Sequence, residues 1–114
     1  MNADNKIQKV SKRVVEQLIN ALGSKLYKII LYGSYARGDF DYESDFDVMV
    51  LINCSQEELR EYRALVAKIA NRVSLEDELE ISLMIQDRNT FEEWQDDLPF
   101  YRNVKNDGVI LYGT

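Results

Sequence analysis

Leu31-Tyr32-Gly33-Ser34-Tyr35-Ala36-Arg37-Gly38 and, five residues further on, Ser44-Asp45-Phe46-Asp47-Val48-Met49-Val50 are the two stretches that decide how this chain folds. The first closes an apolar run, Leu26–Tyr32, that is short, aromatic and β-branched and therefore predicts a strand ending in a glycine turn. The second opens a run, Phe46–Ile52, with apolar residues on both faces, which predicts a central strand. In that strand Asp45 and Asp47 stand at i and i+2, so both carboxylates face the same way, roughly 6.7 Å apart at the backbone. At an effective dielectric near 20 and ~6 Å, two such charges repel by about 3 kcal/mol. That is a noticeable share of the stability of a small domain. A fold gains from placing them there only if something positive sits between them.

Outward from this centre, Ile7, Val10, Val14, Leu18 and Leu22 recur at helical spacing, widened by Val15 and Ile19, and predict an amphipathic first helix closed by Gly23. Ser55-Gln56-Glu57-Glu58 has the form of a capping box, and Leu59, Tyr62, Val66, Ile69 and Val73 behind it mark a second long helix. Glu78 to Gln86 alternates, with Leu79, Ile81, Leu83 and Ile85 opposite Glu80, Ser82 and Met84, and predicts a third strand. Short helices are expected over 90–94 and 100–104, and a small edge strand over 109–112. Strands alternating with helices give an α/β fold, one sheet with helices packed on it. Without repeats or a linker, residues 1–114 are expected to form a single domain.

Composition narrows the chemistry. The 114 residues carry 14 basic and 20 acidic side chains, a net charge of -6, which argues against a phosphate-backbone footprint and so against direct nucleic-acid binding. There is no histidine, which removes Ser-His-Asp and Cys-His catalysis and every histidine-ligated metal site. One cysteine, Cys54, cannot form an internal disulfide, and with no membrane-length apolar run and a polar start, a cytoplasmic location is expected. Carboxylates, hydroxyls and backbone groups remain to do the chemistry.

Those groups assemble into one constellation. Asp45 and Asp47 offer hard oxygen ligands suited to Mg²⁺, an ion that usually also binds substrate phosphates. Gly33 allows a close backbone approach, and the Ser34 hydroxyl with neighbouring amides forms an anion site at a strand-to-helix turn. Arg37, one turn beyond Ser34, could bring its guanidinium to the same phosphates. A nucleoside triphosphate with Mg²⁺ satisfies both halves. Glu80 is the candidate third metal ligand or base, with Glu78 on the same face as the fallback. Taken singly each feature has an ordinary alternative: a loop at Gly33, a turn cap at Ser44-Asp45, a surface pair of Arg37 with Asp39 or Asp41, a solvated acidic face at Glu80.

Gly33-Ser34, Ala36-Arg37-Gly38 and Ser44-Asp45-Phe46-Asp47 together resemble the GSxARG…SDxD signature of the DNA polymerase β-like nucleotidyltransferase superfamily. More closely, the chain is similar to the minimal nucleotidyltransferases, the antitoxins of HEPN–MNT toxin–antitoxin pairs, whose terminal FYRNVxxEG segment is matched by Phe100 to Gly108. The resemblance implies the polymerase β-like fold with a single mixed sheet. It also implies metal binding and catalysis at Asp45, Asp47 and Glu80, with nucleotide binding at Gly33, Ser34, Arg37 and Ser44. Glu80 departs from the family's usual aspartate. The implied activity is Mg²⁺-dependent transfer of AMP from ATP to a tyrosine of a partner HEPN toxin, which silences it.

The short chain leaves little to build an acceptor pocket, so the acceptor is expected to bring its own surface. Tyr35, Phe40, Tyr42, Trp94, Phe100 and Tyr112 are then candidate interface anchors, with core packing the alternative for each. Two other functions stay open: an antitoxin that neutralises by binding alone, and a stand-alone nucleotidyltransferase acting on a small hydroxylated substrate.

Overall fold

A computed structural model describes residues 3–113. Helix α1 (Ala3–Leu22) leads through a 3-10 turn (Gly23–Lys25) into strand β1 (Leu26–Tyr32). A one-turn helix α2 (Ser34–Arg37), a loop and strand β2 (Phe46–Ile52) follow, then the long helix α3 (Gln56–Asp77) and strand β3 (Ile81–Asp87). Helices α4 (Arg88–Trp94) and α5 (Pro99–Asp107) and strand β4 (Val109–Tyr112) complete the chain. The sheet order is β3-β2-β1-β4. β1 is antiparallel to both β2 and β4, and β2 is parallel to β3, so the sheet is mixed and β2 is central as its sequence requires.

Strand alternation sorts the side chains into two layers. Phe46, Val48, Val50 and Ile52 face α1 and α3, where they meet Val10, Val14, Leu18, Val66, Ile69 and Val73 in the main core. Met49 and Leu51 face the other way and join Ile30, Phe91 and Val104 beneath α4 and α5. Asp47 shares this second side by alternation. The second cluster is the smaller, with Tyr32 at the end of β1 packed against it.

Two boundaries differ from the sequence expectation. Gly23 takes the left-handed conformation expected of a cap (φ +54°), yet the chain continues through the 3-10 turn before β1 starts. β3 begins at Ile81 and not at Glu78, because α3 runs on to Asp77 and Glu78 is its left-handed cap (φ +52°). Ser74 ties this corner: its carbonyl accepts from the Leu79 amide and its hydroxyl from the Ile81 amide at 3.0 Å. Glu78 is therefore a helix cap and not a strand residue.

The capping box at α3 forms as its sequence predicts. The Ser55 hydroxyl accepts from the Glu58 amide at 3.1 Å, and the Glu58 carboxylate accepts from the Ser55 amide at 3.0 Å. These bonds hold the Glu58 carboxyl below the usual carboxylate range. Ser55→Ala is expected to cost about 1 kcal/mol, read as a lower urea midpoint with an unchanged slope.

Candidate active site

The site lies where β1 hands over to α2 beside the first residues of β2. Antiparallel pairing sets Tyr32 opposite Asp47, so the residue after Tyr32 arrives at the Asp47 side chain. That residue is Gly33, at φ +76° and ψ -156°, a conformation open in practice only to glycine. A β-carbon there would stand 2.7 Å from Asp47 Oδ2, closer than such atoms approach. Backbone and carboxylate thus meet with no side chain between them.

Ser34 then opens α2, which is closed by Gly38 in the left-handed region (φ +85°), with the Gly38 and Asp39 amides both donating to the Ser34 carbonyl. Tyr35 fastens the turn to the core. It is buried, stacks on Phe40 at 4.4 Å between centroids and leans on Phe46 at 5.3 Å. Tyr35 is accordingly a packing residue, and Phe40, half-buried, packs on the core through it. Tyr42, 91% exposed, and the part-exposed Trp94 and Phe100 stay available at the surface.

Asp45 stands two residues ahead of Asp47, near enough for its charge to act on the Asp47 carboxylate. Burial, then the neighbouring charge of Asp45, push the Asp47 carboxyl above the usual range, while the Arg37 guanidinium acts in the opposite direction. Burial, then the charge on Asp47, push the Tyr32 phenol up to about 12. Arg37 also pairs with Asp39, Nε to Oδ2 at 3.3 Å, an exposed contact that solvent screens. Ser44 serves the loop: its hydroxyl accepts from the Asp41 amide at 3.0 Å and donates to the Asp41 carboxylate.

Glu80 is placed differently from the pair. Parallel pairing sets Ser82 opposite Asp47, and Glu80 lies just ahead of β3, beside Asp45, with its carbonyl accepting from the Phe46 amide at 2.8 Å. Its side chain is exposed at the rim. Among the described residues no three acidic or cysteine side chains gather into a cluster able to hold a metal ion. The donor set, all oxygen and mutually repelling, with Asp45 exposed and Asp47 half-buried, fits Mg²⁺ as a two-carboxylate site. Glu80 is in line with that site but not drawn into it.

Two cavities share Phe100 in their walls. One, about 220 Å³, opens beside the Gly33 turn and is lined by Tyr32, Gly33, Arg37, Phe100, Asn103, Val104 and Asp107. The other, about 250 Å³, lies toward β3 and is lined mainly by Met49, Met84, Ile85, Leu98, Phe100 and Tyr101. Of these, Asn103 and Asp107 have no counterpart among the expected site residues. Asp87, also unforeseen, is structural. Burial pushes its carboxyl up, but bonds from Thr90 and Gln86 outweigh burial and hold it below the usual range, where it caps α4.

A glycine turn against paired carboxylates at the open end of a mixed sheet defines a protein built to transfer nucleotidyl groups. The chain belongs to the nucleotidyltransferase domain family, whose model matches residues 11–111. It is similar to two proteins of Methanocaldococcus jannaschii provisionally named protein adenylyltransferases. One is 36% identical over 95 residues, covering 83% of this chain and 94% of the relative. The other is 30% identical over 108 residues, covering 89% and 97%. Among solved structures, a chain from a toxin–antitoxin complex with AMP-PNP superposes with a TM-score of 0.58 at 20% identity, over 91% of this chain and 73% of that one. A chain from the tri-AMPylated Shewanella oneidensis HEPN toxin in complex with MNT antitoxin gives 0.52 at 21% identity, over 94% and 72%. At those identities the likeness is one of fold.

The electrostatics of Asp47 have a consequence for stability. A carboxyl whose folded-state pKa is raised binds its proton more tightly in the folded than in the unfolded chain. Its ionisation therefore removes stability as pH rises through the unfolded and then the folded value, and the penalty is full above both. Asp47→Asn is expected to melt higher than the parent at pH 7, with the gap closing as pH falls below the usual carboxylate range. Thermal melts followed by circular dichroism across pH 3–7 provide the check.

Proposed function

We propose that this chain is a Mg²⁺-dependent protein adenylyltransferase that transfers AMP from ATP to a tyrosine hydroxyl of a HEPN-type toxin and so acts as its antitoxin. The observation that carries this reading is the contact of the Gly33 backbone with the Asp47 carboxylate, which sets a phosphate-binding turn against paired acidic ligands. The provisional names of the two archaeal relatives, and the AMP-PNP and AMPylated-toxin complexes that share the fold, point to the same reaction.

In this reaction Gly33 and Ser34 hold the phosphates, and Arg37 offsets their charge from the mouth of the adjoining cavity. Asp45 and Asp47 would hold Mg²⁺, which when bound would supply Lewis-acid chemistry and offset phosphate charge. The acceptor oxygen forms a bond to the α-phosphorus, the bond from that phosphorus to the bridging oxygen breaks, and pyrophosphate leaves. Glu80, at the rim on the Asp45 side, takes the hydroxyl proton. Nearly all the work left to the protein is positioning and charge compensation, for which a small sheet with one rigid turn suffices.

A second reading has one observation in its favour: Glu80 is a glutamate at the rim and completes no acidic trio, as a protein that neutralises its partner by covering it would tolerate. Incubating the full chain with ATP, Mg²⁺ and a HEPN partner, then weighing the partner, separates the two. The adenylyltransferase reading expects the partner to gain the mass of AMP, and Asp47→Asn to slow transfer by at least about a hundredfold, the scale of losing a group that stabilises charge in the transition state. An unmodified partner that still binds, together with full neutralisation by Asp45→Asn/Asp47→Asn in cells, establishes the binding-only reading.

A further inference from the structure

One wall of the cavity beside Gly33 is a stripe of α5. Phe100, Asn103 and Asp107 recur at three- and four-residue spacing, lie on one face of the helix and all line the space, with Val104 behind them. Among the described residues, Asn103 makes no side-chain hydrogen bond and Asp107 no ion pair. Phe100 is 41% exposed and meets Tyr32 edge-on, with centroids 5.6 Å apart. An aromatic ring, a carboxamide and a carboxylate, each with binding capacity unspent, thus face a hollow that begins at the phosphate turn.

We propose that this cavity holds the nucleoside of the nucleotide, with Phe100 packing on the base, Asn103 reading its edge and Asp107 accepting from the ribose hydroxyls. The proposal rests on the nucleotidyl-transfer reading above and adds to it the determinant of base choice. Position supports it: a triphosphate anchored at Gly33 and Arg37 has its nucleoside close at hand, and about 220 Å³ leaves the phosphates outside. That is below the ~300–1,000 Å³ of pockets that enclose a whole ligand. Chemistry supports it too. A carboxamide offers one acceptor beside two donors, the complement of adenine's amino group and adjacent ring nitrogen. A carboxylate is acceptor-only, wrong for a phosphate and right for hydroxyls. The cavity toward β3 lacks such groups. Its carboxamide, Gln86, already accepts from the Tyr101 hydroxyl at 2.8 Å and donates to Asp87 at 2.9 Å, so a base edge placed there would go unread.

The test is calorimetric titration of the full chain with ATP, GTP and inorganic tripolyphosphate, each with Mg²⁺, for the parent and for Phe100→Ala, Asn103→Ala and Asn103→Asp. The parent is expected to bind ATP at least about tenfold more tightly than tripolyphosphate, and Phe100→Ala to lose about that factor for ATP while keeping its affinity for tripolyphosphate. Asn103→Ala should lower the preference for ATP over GTP. Asn103→Asp keeps the size but leaves only acceptors, which suit guanine's N–H groups, and should lower that preference by about tenfold. Equal parent affinities for ATP and tripolyphosphate, or an ATP-to-GTP ratio unmoved by both Asn103 variants, overturns the proposal while leaving the phosphate site and the transfer reading standing. Binding of none of the three overturns both.

Discussion

Gly33 leaves β1 at φ +76°, and the space a side chain would occupy there is filled by the carboxylate of Asp47. Much else in the structure follows from that contact. Antiparallel pairing of β1 with β2 brings the end of one strand to the start of the other, and the absence of a β-carbon lets the two meet. α2 can then begin at Ser34, within reach of whatever the carboxylates bind, and Tyr35, stacked on Phe40 and packed on Phe46, holds the turn in that place. Rigid strands position the acids, and a turn anchored in the core positions Ser34 beside them. Such preorganisation is what a small domain can offer to a reaction whose difficulty lies in charge and alignment.

Two carboxylates of this chain, one buried and one half-buried, show how environment separates structure from function. Asp87 is buried, but Thr90 and Gln86 satisfy its oxygens, and its proton is held loosely. Asp47 is less buried and finds no such donors. Its proton is held tightly because burial and Asp45 both oppose its charge, with only Arg37 pulling the other way. The first arrangement stabilises a helix. The second leaves charge uncompensated at the end of the sheet, a cost of the kind that folds retain at functional sites.

Much of this could be read from residues alone, and the exceptions have a common cause. The bounds of β1 and β2, the central place of β2, the capping box at Ser55 and the edge strand at Val109–Tyr112 rest on local pattern, and the structure has them as read. The start of β3 was hidden because Leu79 is buried like a strand residue although Glu78 still caps the preceding helix. Tyr35 and Phe40 stood open between interface anchor and core residue, because nothing nearby in sequence reveals that they stack. Asn103 and Asp107 are unremarkable polar residues on a short helix until α5 packs on β1 and turns them toward Gly33, a contact between segments some seventy residues apart. Glu80 is the reverse case. Its place beside the start of β2 was legible, but alternation along a strand does not say whether a side chain at the rim reaches inward.

The Gly33–Asp47 contact is tested most directly by one substitution and one titration. Calorimetry of ATP with Mg²⁺ into the parent and into Gly33→Ala, with circular dichroism to compare their folds, should give a single nucleotide site per parent chain and a variant that keeps its secondary structure but loses affinity by about tenfold or more, the equivalent of the ~1–3 kcal/mol at stake in a forced backbone conformation. A folded Gly33→Ala chain that takes up the nucleotide as tightly as the parent would contradict the dependence of the site on that turn.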